Sequence, residues 1–289
     1  MSGQLLKKIR EGKGMTINEV ASEIISPAQL RKIETNGHQT SFENQMNLLN
    51  RLNVSIEEFI YLAKDSHSNF HLHLKNDIRE AIRLKDVKKI NALLSQLEIN
   101  KEESCQSNYF LHSKCLLKAE LTMIKTGNNV EKARKELTAI SDYLGKVDQW
   151  YLYELRLLNN SLIYYDFETA VSLGEKALQN IQKHYEHFKN SEISRALLNN
   201  LATLSLKEEQ YMKAYHYSSA SIGLPNSTRF LYENTLSRIT NQVACYKLQN
   251  SQYDPVILRD AIRFFNSFNM AHLSENIQSF LNEHGVILD

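Results

Sequence analysis

The 289-residue chain has little of what breaks or bends a helix. It carries 9 Gly and 3 Pro, well under the usual shares of about 7% and 5%. So few turn formers exclude sandwiches, propellers and disordered linkers, and favour long helices joined by short turns. An excess of charge of one sign is also lacking. Lys+Arg number 34 against 33 Asp+Glu, a formal net charge of +1, so there is no polyanion-binding tail. The three cysteines, Cys105, Cys115 and Cys245, are odd in number and lack CxxC spacing. They suggest neither a disulfide framework nor a zinc knuckle. No run of 18 apolar residues occurs, and the start, MSGQLLKKIREGKGM, has no apolar segment or cleavage site. Neither a membrane span nor a signal peptide is expected. A cytoplasmic, all-α chain of two domains fits these absences, at about 150 residues per domain.

Chemistry is equally sparse. There is no Gly-rich phosphate loop, HExxH or GxSxG. His71 and His73 with Asp77, and His184 with His187, sit on polar faces without a companion cysteine or paired carboxylate, which reads as solvated histidine. No catalytic residue, metal site or cofactor is expected.

What is present begins with five short helical patterns over residues 1–65. The first runs from Gln4 to Glu11, with Leu5, Leu6 and Ile9 on one face. Thr16-Ile17-Asn18-Glu19 opens the second with a capping box, and Val20, Ala21 and Ile24 form its inner face. Ser26-Pro27-Ala28-Gln29 signals the third, with Ser at the N-cap, Pro at N1 and Gln at N3. A fourth covers Phe42 to Leu52, and Ser55 caps the last. Two short helices separated by two or three residues inside such a bundle form a helix-turn-helix. One helix lies in a DNA groove about 12 Å wide while the other braces it.

The stretch ASEIISPAQLRKIE, Ala21 to Glu34, resembles the helix-turn-helix of bacterial XRE-type repressors. Its turn is one residue shorter than the generic pattern, with Ile25 near the usual glycine. That form is similar to the Rgg/GadR/MutR regulators of Gram-positive bacteria, as is LLNRLNVSIEEFI further on. The resemblance implies DNA contacts from Ser26, Pro27, Ala28, Gln29, Arg31, Lys32 and Asn36. Arg31 is the expected base reader, because its fork pairs with guanine O6 and N7; the alternatives are a phosphate contact or a solvated charge. Gln29 suits adenine unless the cap holds it. The resemblance further implies an internal Arg10–Glu34 ion pair. Residues 1–65 carry eight Lys/Arg and eight Asp/Glu, so counterion release adds little affinity. Two heads on one palindromic site compensate, which argues for a homodimer.

From residue 66 onward helices are expected at 68–84, 86–98, 104–126, 129–145, 148–165, 167–188, 191–207, 209–223, 227–250, 255–268 and 271–284, a sensing and dimerisation domain over 66–289. The segments DVKKINALL, NVEKARKEL, DFETAVSLGEKAL, EEQYMKAYHYS and DPVILRDAIRFF recur roughly every 40 residues, with a small residue at a similar place, in the manner of a tetratricopeptide-like solenoid with one concave wall. A second repeat lies in the intervening helices: RLLNN, RALLNN and RITNQ. Asparagine is a poor helix-interior residue, and a ladder of carboxamides can clamp a peptide main chain whatever its sequence. Arginine one turn earlier suits a carboxylate. The candidate ligand residues are therefore Arg156, Asn159, Asn160, Arg195, Asn199, Asn200, Arg238 and Asn241. The alternative is that these asparagines bond neighbouring helices or face water.

KVDQWYLYELRLLNN, Lys146 to Asn160, is similar to the signature of the Rgg-type C-terminal domain, where a Trp-x-x-Tyr-Glu helix leads to a ligand-lining Asn. The resemblance implies a receptor in which a short imported signalling peptide binds the concave wall and alters regulation. Tyr109, Phe110, Tyr153, Tyr164 and Tyr165 are either apolar subpockets or core. Two other readings stand beside this one: a regulator whose repeats bind a protein partner or only dimerise, and a repeat scaffold that does not bind DNA.

Overall fold

Four hydroxyl caps set the helix starts of the N-terminal unit in the computed structural model, which describes residues 2–63, 66–99, 108–184, 192–225 and 227–288. Helix α1 spans Ser2–Gly12, α2 Ile17–Ala21, α3 Pro27–Asn36, α4 Phe42–Arg51 and α5 Ile56–Leu62. At α2 the Glu19 amide donates to Thr16 Oγ1 (3.2 Å) and the Thr16 amide donates to Glu19 Oε2 (2.6 Å), the full capping box. Ser26, Ser41 and Ser55 accept from the amides of Gln29, Asn44 and Glu58 at the starts of α3, α4 and α5. Each cap satisfies one of the amides a helix start leaves without a partner. Leu6, Val20, Leu30, Ile33, Leu48, Leu49, Leu52 and Phe59 close around one core. The left-handed residue of the α2–α3 turn is Glu23, φ 63°, two positions before Ile25.

The contacts divide the chain into units 1–84 and 85–289, so α6, Ser66–Leu84, groups with the first. The expected boundary after residue 65 falls one helix earlier. In the second unit α7 spans Val87–Ile99, α8 Asn108–Lys125, α9 Val130–Arg134, α10 Thr138–Lys146, α11 Leu152–Ser161, α12 Phe167–His184, α13 Glu192–Lys207, α14 Tyr211–Ile222, α15 Leu231–Lys247, α16 Pro255–Ser267 and α17 Ala271–Glu283. The helix expected over 129–145 is broken by a 3-10 turn at Lys135–Leu137. The one expected from 148 starts only at Leu152. Trp150 is driven fully into the core and its indole N–H donates to the Val147 carbonyl, which holds residues 147–151 out of helical geometry.

The forty-residue beat has a packing cause. Ala133, Ala170, Ala214 and Ala261 are buried, so neighbouring helices approach closely at those points. Ala92 in the first repeat is exposed, and Ile90 fills the corresponding contact. At Gly174 a Cβ would lie 2.8 Å from Leu201 of α13, so α12 and α13 cross where only hydrogen fits. The scarcity of glycine is met elsewhere by Asn53, Asn128, Gln249 and Asn269, which take the left-handed geometry at helix ends.

Candidate functional site

Ser26, Pro27, Ala28, Gln29, Arg31, Lys32 and Asn36 are all exposed, and all but the cap lie on α3. The opposite face of that helix carries Leu30, Ile33 and Glu34, which are buried. The sequence-assigned residues thus share one solvent-facing stripe. Gln29 gives its backbone amide to Ser26, and among the described residues its carboxamide does not bond back to the cap, unlike Glu19 at α2. It is free to meet a base edge. The stripe is fixed from behind. Arg10 donates from Nε to Glu34 Oε1 (2.7 Å) and from Nη2 to Glu34 Oε2 (2.9 Å). Its Nη1 donates to the Met15 carbonyl at the entry to α2 (2.9 Å). One guanidinium therefore ties α1 and α3 to the turn before α2, and the Glu34 hydrogen bond holds its pKa above the ordinary value.

In the second unit the three Arg/Asn segments come into one register: Leu155-Arg156-Leu157-Leu158-Asn159-Asn160, Arg195-Ala196-Leu197-Leu198-Asn199-Asn200 and Ser237-Arg238-Ile239-Thr240-Asn241-Gln242. Burial follows that register. Leu155, Arg195 and Ser237 at the first position are buried, while Arg156 and Arg238 at the second are exposed and Ala196 is half-buried. Arg195 stands one residue earlier than its apparent counterparts. One residue turns a side chain by about 100° round a helix, and here that takes it from the open face into the core.

The structure therefore separates the eight candidate ligand residues. Arg195 is fully buried and donates from Nη1 to the Ser221 carbonyl and Asn234 Oδ1, and from Nη2 to the Pro225 carbonyl, a brace between helices rather than a ligand arm. Asn199 Nδ2 donates to the Glu233 carbonyl (3.1 Å) and its Oδ1 accepts from Ser237 (2.7 Å). Asn241 donates to Ser218 and Ser219 of α14 (3.1 and 2.9 Å). For these two the helix-bonding alternative holds. Asn200 Nδ2 reaches Asn159 Oδ1 (3.0 Å), a bond between half-buried neighbours on α13 and α11. Arg156, Asn160 and Arg238 remain exposed. The α14 serines that accept from Asn241 carry one signal in the sequence, the hydroxyl run Ser218-Ser219-Ala220-Ser221.

The aromatic residues fall mostly to the core: Phe110, Tyr164 and Tyr165 are buried, and Tyr164 donates to the buried Glu120 (2.7 Å). Tyr153 is half-buried, with its hydroxyl 2.8 Å from His112 Nδ1. The Trp-x-x-Tyr-Glu stretch thereby builds a polar cluster, because Glu154 accepts from Tyr143 (2.5 Å) and from the Tyr151 amide (2.8 Å). Burial holds the His112 imidazole below its ordinary value, against the pull of Glu154. The unfolded chain then takes up a proton near pH 6.5 that the folded chain refuses, so stability is complete above that pH and declines below it. Between pH 6.5 and 5.5 the melting temperature of the wild type is expected to fall further than that of His112→Gln. Parallel calorimetric slopes for the two proteins would remove His112 as the cause.

Among the described residues no group of three His, Cys, Asp or Glu side chains is placed to hold a metal, and no helix is long and apolar enough to cross a membrane. The side chains at 71, 73, 184 and 187, and Cys105, lie outside the described residues. Cys115 and Cys245 are buried thiols whose pKa burial raises.

Known proteins share this architecture from end to end. The Streptococcus dysgalactiae SHP pheromone receptor Rgg2 is 22% identical with a TM-score of 0.74, over 98% of this chain and 99% of that one. Bacillus thuringiensis PlcR, solved with the peptide PapR7 and DNA, is 17% identical with a TM-score of 0.70, over 96% of this chain and 98% of the other. At such identities these likenesses establish the fold. Residues 6–59 match the helix-turn-helix family, and residues 91–279 match the family described as HTH-type transcriptional regulator Rgg, C-terminal domain. With that second match running over more than half its length, the chain belongs to the Rgg family of helix-turn-helix transcriptional regulators.

Proposed function

We propose that this regulator works in the cytoplasm as a homodimer, reading a palindromic duplex site through α3 under the control of a short signalling peptide held on the array. Arg31 reads a base, Gln29 assists, and Ser26, Pro27, Ala28, Lys32 and Asn36 lie along the DNA backbone or the groove. On the array Arg156, Asn160 and Arg238 meet the peptide, with the Asn159–Asn200 pair at the edge of the same face. Arg195, Asn199 and Asn241 hold that face in shape. The peptide acts through a difference in affinity between two arrangements of the array. The observation that carries this reading is that Arg156 and Asn160 of α11 and Arg238 of α15 stay exposed while Arg195, Asn199 and Asn241 nearby are taken up by contacts between helices.

Genome-wide occupancy of the tagged full-length protein in its native host tests the proposal. A few sharp peaks sharing a palindrome are expected, one beside a small open reading frame. Arg31→Ala is expected to weaken operator binding by about 1–3 kcal/mol and to relax preference at one base pair. Unchanged peaks and unchanged gel-shift affinity in the Arg31→Ala protein would reject Arg31 as the reader. No enrichment at any growth stage would favour a scaffold.

A further inference from the structure

The chain is almost electrically neutral, but the charges of the array face are not evenly mixed. Helix α11 has one carboxylate, Glu154, α13 has Glu192 and α15 has Glu233, each in the first turn of its helix. Beyond those first turns every charge on the three helices is a cation: Arg156, the buried Arg195, Lys207, Arg238 and Lys247. Arg156 and Arg238 occupy the same register position two repeats apart, both exposed. Neither makes a hydrogen bond or ion pair among the described residues. Between them the equivalent position holds Ala196, whose methyl leaves room where the flanking repeats project a long arm. The three helices are direct neighbours, bonded by Asn200 to Asn159 and by Asn199 to Glu233.

That spacing fixes a ligand pattern. Packed helices lie about 8–10 Å apart, so two steps cover roughly 16–20 Å. An extended peptide advances about 3.3 Å per residue, so the same span takes about five or six residues. Guanidinium forks prefer carboxylates, which they grip bidentately. We propose that the peptide carries two carboxylates about five or six residues apart, one held by Arg156 and one by Arg238, with an uncharged side chain between them over Ala196. This rests on the peptide-sensing reading above and adds to it the charge pattern and reach of the ligand. The second carboxylate is either an acidic side chain or the peptide's own C-terminus.

The test incubates the full-length protein with a random octapeptide library bearing free C-termini, and separately with the same library amidated at the C-terminus. Peptides co-eluting with the protein on gel filtration are identified by mass spectrometry. The expected result is about tenfold enrichment of peptides with carboxylates at that separation. Loss of retention on amidation assigns the second carboxylate to the C-terminus. Retention of spaced acid pairs in the amidated library assigns it to a side chain. Arg156→Ala and Arg238→Ala are each expected to abolish one of the two acid preferences and leave the other. Retained peptides with no acid preference would overturn the two-carboxylate proposal while leaving a peptide receptor in place. An empty retained fraction would overturn the peptide-sensing reading itself, and this proposal with it.

Discussion

Replacing Glu34 by alanine is expected to unfold the DNA-reading unit and leave the array folded. Glu34 is 2% exposed and Arg10 is 6% exposed, so truncating the carboxylate strands a guanidinium in the core. Removing one partner of a buried pair costs about 3–5 kcal/mol, comparable with the whole stability of a domain this small. Calorimetry of the full chain should show the transition of the first unit lost or moved below 37 °C, with operator binding gone. The double variant Arg10→Met, Glu34→Leu is expected to recover most of that stability, because two apolar side chains of similar size leave no charge behind. Gly3→Ala probes the same contact between α1 and α3 from the backbone: a Cβ there would sit 1.9 Å from the Ile33 carbonyl oxygen, so a helix must move. A Glu34→Ala protein that melts like the wild type would show that the pair contributes nothing net.

The second large effect is expected at Arg195. Its guanidinium is fully buried, faces no carboxylate partner at bonding distance, and lies 5.2 Å from the Phe230 ring. Burial lowers its pKa, with Glu233 pulling the other way. What compensates the charge is a set of neutral acceptors, the Ser221 and Pro225 carbonyls and Asn234 Oδ1. Arg195→Ala removes the donor these acceptors share and leaves a void, at a cost of about 3–5 kcal/mol. That is a fall of about 10 °C in the melting temperature of the array. Arg195→Lys is not a conservative repair, since a compact ammonium lacks the planar fork that reaches all three acceptors. Arg156→Ala and Arg238→Ala, both on exposed stems, should change stability by no more than about 0.5 kcal/mol. If all three alanine variants melted alike, the separation of brace from ligand arm would be wrong.

Much of this molecule was legible from local chemistry. The caps at Thr16, Ser26 and Ser55 depend on residues three apart, and the buried faces of α2 and α3 depend on 3.6-residue periodicity, so both are readable within one turn or two of chain. The exposed stripe from Pro27 to Asn36 follows from the same periodicity once Leu30 and Ile33 are placed inward. Recurring alanines marked most of the repeats because a close crossing favours a small side chain.

Local chemistry along the chain was thus enough to say which segments are helical, which face most of them bury, and that a helix-turn-helix precedes a repeat array. The tertiary structure alone decided which polar residues are available to a ligand. Asn199, Asn241 and Arg195 look like Asn160 and Arg238 in composition. Their fate turns on whether a serine hydroxyl or a carbonyl from a neighbouring helix, 22 to 39 positions away in the chain, stands opposite. A hydrogen-bond partner that distant leaves no mark in the local pattern. A register offset of one residue is enough to turn an arginine from water into the core.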